Sequence, residues 1–183
     1  MIVSPFQFLS KPAERKLSLL LFGLVVVMIV IMRFFDAPLK NEISPQGIVS
    51  FELAKDVDRS VAIIDSWDTI AKTSAKWSMA FDFLFLIVYG LFIGLLIHKL
   101  NRVWISSSFH SLGTVLIYLV FLASFFDIIE NIALLFLLNG NLVQIWSSIA
   151  FYFAMLKFII LAVALAFIVT STIALLLKKS RTP

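Results

Sequence analysis

Four long apolar runs divide this sequence, and each is long enough to cross a lipid bilayer as a helix. They cover about residues 17–35, 78–98, 112–138 and 148–177, and a helix needs about 20 apolar residues to span the hydrocarbon core. Hydrophobic residues make up 61% of the chain, whereas about half is usual for a soluble domain. The sequence therefore predicts an all-α, polytopic membrane protein, one domain built as a four-transmembrane-helix bundle.

A cleaved signal peptide is the alternative interpretation of the first run. That run is long for the apolar segment of a signal peptide. No small-x-small cleavage site follows it in residues 33–39. We therefore expect a retained helix.

Charged residues beside the runs predict how the chain crosses the membrane. The N-terminus, the second loop and the C-terminus, which includes Lys178, Lys179 and Arg181, together carry eight Lys or Arg against one acid, Glu14. The first loop, counted with Arg33, carries six Lys or Arg against seven acids. Because basic residues mark the cytoplasmic side, we expect both termini in the cytoplasm and residues 36–77 outside. A bacterial inner membrane is the expected location.

The first loop contains two helix signals. Ser44-Pro45 predicts a helix start, because Pro is favoured directly after a capping residue. Four residues then recur at three-residue steps, as on one face of a helix: Val61, Ile64, Trp67 and Ile70. We expect an amphipathic helix over residues 60–71 that lies on the membrane surface or caps the bundle. It either simply packs on the bundle or acts as a lid over a substrate site.

The remaining charges lie inside the apolar runs. They are Asp82 in the second run, Asp127 and Glu130 in the third, and Lys157 in the fourth. At about 1.5 Å per helical residue, they lie roughly 6, 16, 12 and 13 Å from the outer ends of their helices. Charged groups at membrane depth usually face a protein interior or a water-filled cavity. Since three helices place ionisable groups in one layer, we expect a shared pocket.

Helical spacing places further polar groups on the same faces. Glu130 and Asn131 follow Asp127 by three and four residues, so the three share one helix face. Lys157 shares a face with small residues that mark a close helix contact: Ala150, Ala154 and Ala164. The predicted ligand-binding pocket comprises Asp82, Tyr89, Asp127, Glu130, Asn131 and Lys157, with Glu52 and Asp65 as contributors from the first loop.

The sequence argues against metal, cofactor and nucleic-acid sites. It has no Cys, and its only histidines, His98 and His110, lie far from the acids, so a metal or haem site there is the less favoured interpretation. The segment Asp56-x-Asp58-x-Ser60 resembles the opening of a calcium loop but is followed by Val61 where that loop needs Gly. We therefore expect no metal and no cofactor. The basic residues flank apolar runs, which favours a topology signal over a nucleic-acid footprint.

Two segments resemble parts of known membrane proteins. Asp82-Phe-Leu-Phe-x-x-x-Tyr89 and Phe126-Asp-Ile-Ile-Glu-Asn131 resemble segments of uncharacterised small four-helix bacterial membrane proteins. The layout is also similar to that of the EXPERA family of sterol isomerases and sigma-2 receptor-like proteins, which implies a four-helix bundle with a long first loop and intramembrane acids that bind amine or sterol ligands. The acids of the third run and Lys157 depart from that pattern, so no residue role is carried over.

Two classes of function explain the buried charges. One is a pocket that binds, and could modify, a lipid-like or amphiphilic ligand from the outer leaflet. A small carrier that acts as a dimer is a variant of it. The other is a structural or partner subunit of a membrane complex, whose polar groups only fix helix packing. One Lys cannot neutralise three buried acids, so at least one acid must be protonated, hydrogen-bonded, hydrated or paired with a bound cation. No catalytic residue can be assigned.

Overall fold

Helices form every regular element in the described part of the chain. The computed structural model describes residues 3–104 and 106–180, so Arg181 of the predicted basic C-terminus lies outside the described residues. The helices are α1 (Lys11–Asp36), α2 (Ile48–Glu52), α3 (Val57–Ser66), α4 (Thr69–Asn101), α5 (Ser107–Leu138) and α6 (Gln144–Ser180), with a short 3-10 turn at Ala37–Leu39. Four of them are long and apolar enough to cross a membrane. This confirms the predicted all-α four-helix bundle.

The long helices extend beyond the apolar runs because polar residues cap them. Ser10 accepts a hydrogen bond from the backbone of Ala13 at 3.4 Å, and α1 starts at Lys11 rather than near residue 17. Asp68 accepts one from the backbone of Ala71 at 2.7 Å, and α4 starts at Thr69 rather than near residue 78. Side-chain caps satisfy donors that the first helical turn leaves free.

The four long helices pack in a defined order. Helix α4 contacts α1, α5 and α6, and α5 contacts both α4 and α6. Gly90 and Gly94, spaced as Gly-x-x-x-Gly on α4, lie where α4 packs against α5. A Cβ atom at Gly90 would lie 2.5 Å from Ser124 Oγ, and one at Gly94 would lie 3.2 Å from Phe6. The small residues therefore let α5 and the N-terminal segment approach α4.

The first loop folds as a packed cap on one end of the bundle, which we call the capped end. Ser44-Pro45 does not start a helix as predicted, because the Ser44 hydroxyl donates to the Leu39 carbonyl at 2.5 Å and the chain turns. Helix α2 begins instead at Ile48, whose backbone N–H donates to Asp36 Oδ1 at 2.8 Å. Gly47 has φ +60°, and a Cβ there would lie 2.1 Å from Asp36 Oδ1. Only glycine fits this turn.

The predicted continuous helix over residues 60–71 is wrong. Helix α3 ends at Ser66, Trp67 is extended, and Asp68 caps the start of α4. The Trp67 side chain is 2% exposed, and its indole N–H donates to the Leu39 carbonyl at 2.9 Å. Ile70, which the periodic pattern placed on the same face, is 70% exposed. Ile63, Ile64 and Trp67 therefore join the core, and the segment packs on the bundle as a cap, one of the two placements expected for it.

A balanced ion pair closes the opposite end of the bundle. The Glu14 carboxylate is buried and accepts hydrogen bonds from both terminal nitrogens of Arg102. His98 lies beside it, with Nε2 3.4 Å from Glu14 Oε1, and the His98 Nδ1 hydrogen-bonds the hydroxyl of Ser4 at 2.8 Å. These contacts fix the N-terminal segment against α4.

Candidate intramembrane polar site

Lys157 lies between two acids of the neighbouring helix. Its Nζ atom is 2.8 Å from Asp127 Oδ1, 3.0 Å from Glu130 Oε1 and 2.8 Å from Glu130 Oε2. The three residues are 6%, 2% and 0% exposed. They meet because α6 presents a face of small side chains to α5, with Ala150, Ala154 and Ala164 all buried. The two helices therefore approach closely enough for one ammonium to contact both acids.

Helix α4 adds two further side chains from its own buried face. The Tyr89 hydroxyl donates to Asp127 Oδ2 at 2.9 Å, so both oxygens of Asp127 have a donor. Asn131 Nδ2 on α5 donates to Asp82 Oδ2 at 2.5 Å. The structure thus brings together six side chains that were predicted as a pocket: Asp82, Tyr89, Asp127, Glu130, Asn131 and Lys157.

A fourth carboxyl group comes from the cap. Glu52, at the end of α2, is 9% exposed, and its Oε2 atom lies 4.0 Å from Lys157 Nζ. No described nitrogen donor forms a hydrogen bond with that oxygen, whereas the Glu52 side chain is hydrogen-bonded to that of Glu130. Burial raises the pKa of Glu52, and the nearby Lys157 ammonium opposes only part of that rise. Asp65, the other predicted loop contributor, is exposed on α3 and does not line the cavity described below.

An open cavity of about 450 Å³ lies beside this cluster, between α1, α2, α4 and α6. Its polar lining is Glu52, Asp82, Tyr89, Asp127 and Lys157. Its apolar lining is Val25, Met32, Ile48, Val49, Phe85, Phe92, Ile93, Phe158, Leu161 and Leu165. Glu130 and Asn131 lie behind this surface and hold Lys157 and Asp82 in place. The polar groups therefore occupy one part of an otherwise hydrocarbon-like cavity.

A smaller cavity adjoins the first towards the capped end. It measures about 220 Å³ and shares Met32, Ile48, Val49 and Phe85 with the larger one. Arg33 and Asp36, at the end of α1, also line it. The two cavities therefore lie side by side, the smaller one at the charged end of α1 and the larger one beside the acids and the apolar side chains deeper in the bundle.

The apolar half of this site has no signal in the sequence. Leu161 and Leu165 look like any other apolar residues of α6, because each has only apolar neighbours in the chain, and Phe158 directly follows Lys157 but carries no polar group itself. Their role depends on the space between α1 and α6, which no local pattern encodes. A cavity could be found only from the packed structure.

Charge is unbalanced at this site. Three carboxyl groups, those of Glu52, Asp127 and Glu130, lie within 4.0 Å of a single ammonium, and Asp82 lines the same cavity, whereas the Glu14–Arg102 pair at the opposite end of the bundle is balanced. The described residues contain no cluster of three or more His, Asp or Glu side chains placed to hold a metal ion. An uncompensated acid in a low-dielectric setting must take a proton or a cationic partner.

The geometry shows what these groups can do, and similarity to known proteins adds nothing to it. The chain matches no family model, no curated protein and no solved structure. The resemblance to small four-helix membrane proteins and to the EXPERA family therefore stays a prediction. The acids and the tyrosine can bind a polar headgroup, and the apolar lining can bind a hydrocarbon tail.

Proposed function

We propose that this protein binds one amphiphilic, lipid-like molecule, which enters from the outer leaflet of the membrane. The observation that carries the proposal is the cavity of about 450 Å³ with carboxyl groups in one part and hydrocarbon side chains in the rest. Small-molecule sites usually measure roughly 300–1,000 Å³ and combine an apolar lining with a few convergent polar groups. The cavity has this character.

The layout of the cavity along the helices suits a molecule with a head and a tail. The helical rise from Lys157 to Leu165 on α6 is about 12 Å, and that from Asp82 to Ile93 on α4 is about 16 Å. In both helices the polar residue lies nearer the capped end, which the charge distribution predicts to be outside. A bound amphiphile would then have the same orientation as lipids of the outer leaflet.

A lateral route from the bilayer explains how such a molecule would enter. Helix α1 packs on α4, and α6 packs on α5 and α4, so the cavity lies in the space between α1 and α6. Both helices carry many exposed apolar side chains, including Val26 and Val30 on α1 and Ile159 on α6. A ligand could therefore pass from lipid into the cavity without exposing its tail to water.

A structural role remains the second candidate for part of the cluster. Asp127 and Glu130 both contact Lys157, and Asp127 also accepts from Tyr89, so these groups cross-link α4, α5 and α6. Such a network fixes packing whether or not a ligand binds. Glu52 and the open cavity are not needed for that role, and they favour ligand binding.

A cavity-filling substitution tests the proposal. The probes are dodecylamine, dodecanol and dodecanoate, each added to the protein in phosphatidylcholine nanodiscs, and binding is read by native mass spectrometry. We expect at least one probe to bind with one molecule per chain, and Leu161→Trp to abolish that binding because Leu161 lines the cavity.

The matched control is Leu156→Trp, since Leu156 is 46% exposed on the same helix and does not line the cavity. This variant should bind like the wild type. The proposal fails if none of the three probes binds, or if both Trp variants bind as well as the wild type.

A further inference from the structure

Two buried carboxyl groups, those of Glu52 and Glu130, contact each other beside Lys157. Glu52 lies on α2 in the cap and is 9% exposed, and Glu130 lies on α5 and is 0% exposed. Their side chains are hydrogen-bonded to each other, and their Oε2 atoms lie 4.0 and 2.8 Å from Lys157 Nζ. This contact therefore joins the cap to the bundle.

A hydrogen bond between two carboxyl groups requires a proton. An ionised carboxylate can only accept hydrogen bonds, whereas a protonated carboxyl group has one O–H to donate. Two ionised carboxylates in contact would also repel each other, and a buried site screens that repulsion poorly. One of the two glutamates must therefore carry a proton that it donates to the other.

The neighbouring donors are directed elsewhere. Lys157 Nζ donates to Asp127 Oδ1 and to Glu130 Oε1. Among the described residues, no nitrogen or hydroxyl group forms a hydrogen bond with Glu52 Oε2 or with Glu130 Oε2. Buried acceptors without a donor are costly and rare in native structures. A single proton between the two glutamates supplies the donor that this pair needs.

The charges around the pair favour the bound proton. Lys157 on α6 is the cation in contact with both glutamates, but it also pairs with Asp127. Acids on α1, α4 and α5 face the pair: Asp36, Asp82 and Asp127. Burial and these acids raise the pKa of Glu52, and Lys157 opposes part of that rise. The charged residues at the end of α1 and on α3 are exposed, namely Arg33, Lys40, Asp58, Arg59 and Asp65.

Helix α2 is placed so that this proton can affect the cavity. The helix is only five residues long, and it lies between Gly47 and Lys55, which have φ +60° and +62°. Ile48 and Val49 line both cavities, and Glu52 lines the larger one. Helix α2 therefore forms part of the wall of both cavities at the capped end, and loosening it would widen them there.

We propose that Glu52 and Glu130 form a proton-binding site that fastens α2 to the bundle and controls access to the cavity from the capped end. With the proton bound, one O–H···O bond links the cap to α5. When the pH rises and the proton passes to water, two carboxylates face each other and α2 loosens. This inference goes beyond ligand binding and does not depend on it, because every group involved belongs to this chain.

Infrared difference spectroscopy of the protein in phosphatidylcholine nanodiscs tests the shared proton. At about pH 7, exposed carboxyl groups are ionised, so the C=O stretching band of a protonated carboxyl group reports buried acids. Glu52→Gln and Glu130→Gln should each remove the same band, because in either variant the new amide donates to the remaining carboxylate. The double variant should lose nothing further.

The matched control for the infrared test is Glu42→Gln, which makes the same chemical change at an exposed position of the same loop. It should leave the band unchanged. A band that neither single variant removes would overturn the proposal. A band that only one of the two variants removes would also overturn it, because the proton would then belong to one glutamate and not to the pair.

Hydrogen–deuterium exchange tests whether the proton holds the cap. Between about pH 7 and about pH 9, the exchange of residues 48–52, corrected for the intrinsic rate at each pH, should become about tenfold faster in the wild type, the usual effect of losing one buried hydrogen bond. It should stay constant in Glu52→Gln and Glu130→Gln, whose amides do not titrate. Unchanged exchange of α4 would show that both variants are folded.

Two results would overturn the role of the proton in holding α2. One is corrected exchange of residues 48–52 that does not change with pH in the wild type. The other is an increase of the same size in Glu52→Gln, since this variant has no proton to lose at position 52. The wild-type measurement decides the question even if a variant fails to fold.

Discussion

Replacing Lys157 with methionine tests whether the ion cluster holds the bundle together. The side chain is 6% exposed and lies within 3.0 Å of oxygens from both Asp127 and Glu130. Removing one partner of a buried ion pair leaves an unbalanced charge and costs about 3–5 kcal/mol. For a chain of this length, that loss should lower the thermal midpoint by roughly 6–20 °C. The assay is thermal unfolding in a mild detergent, followed by tryptophan fluorescence.

The contacts of the two acids predict which second substitution restores stability. In Lys157→Met, Asp127 keeps its hydrogen bond from Tyr89 at 2.9 Å, whereas Glu130 keeps only its contact with Glu52, another acid. Adding Glu130→Gln should therefore restore more stability than adding Asp127→Asn, because it removes the less supported charge. The triple variant, which combines Lys157→Met with Glu130→Gln and Asp127→Asn, should recover most of the loss. Neither acid then leaves an unpaired carboxylate in the core.

An exposed lysine gives the control for this series. Lys76→Met makes the same change on the surface of α4. It should change the free energy of unfolding by no more than the roughly ±0.5 kcal/mol typical of surface substitutions. Strictly additive losses in both double variants would refute the reasoning, because they would mean that Lys157 and the acids do not interact energetically.

Three further predictions follow from individual contacts. Gly47→Ala should destabilise the cap by about 1–3 kcal/mol, because Gly47 has φ +60° and the added Cβ would clash with Asp36 Oδ1. Gly23→Ala is the control in the same thermal assay and should show no loss, because the space around Gly23 is open. Burial raises the pKa of Glu52, so the contribution of Glu52 to stability is present at low pH and is lost as the pH rises through the raised pKa. Glu52→Gln should flatten that part of the profile of stability against pH. An unchanged profile would contradict the raised pKa of Glu52. An introduced Cys at the exposed Gln46 should be labelled by a membrane-impermeant reagent from outside the cell and one at the exposed Ser108 only after permeabilisation; the reverse pattern would invert the predicted topology.

Much of the architecture could be predicted from the sequence, because apolar length and helical spacing are local properties. Long apolar runs give long helices, and the three- and four-residue spacing of Asp127, Glu130 and Asn131 gives them a common face. The structure brings that face into contact with Lys157 and Asp82. The small residues of α6 predicted the closeness of this contact, since only small side chains allow it.

The cap and the cavity could not be predicted in the same way, because both depend on contacts between distant residues. Trp67 continues a helical pattern in sequence, yet its indole bonds to Leu39 and the chain is extended there. The Ser60 hydroxyl is buried against Ser147 at 2.9 Å, so this polar residue faces α6 rather than solvent, which its place in the sequence pattern does not indicate. The space between α1 and α6 depends on how four helices pack, and no single segment encodes it.

The most direct test of the proposed site is an experimental structure of the protein in phosphatidylcholine nanodiscs, with dodecylamine, dodecanol and dodecanoate added in turn. The account predicts elongated density between α1 and α6 with at least one probe, its polar end at the polar lining of the cavity and its tail against Leu161 and Leu165. A cavity closed by the protein's own side chains, or one that stays empty at saturating concentrations of all three probes, would contradict it.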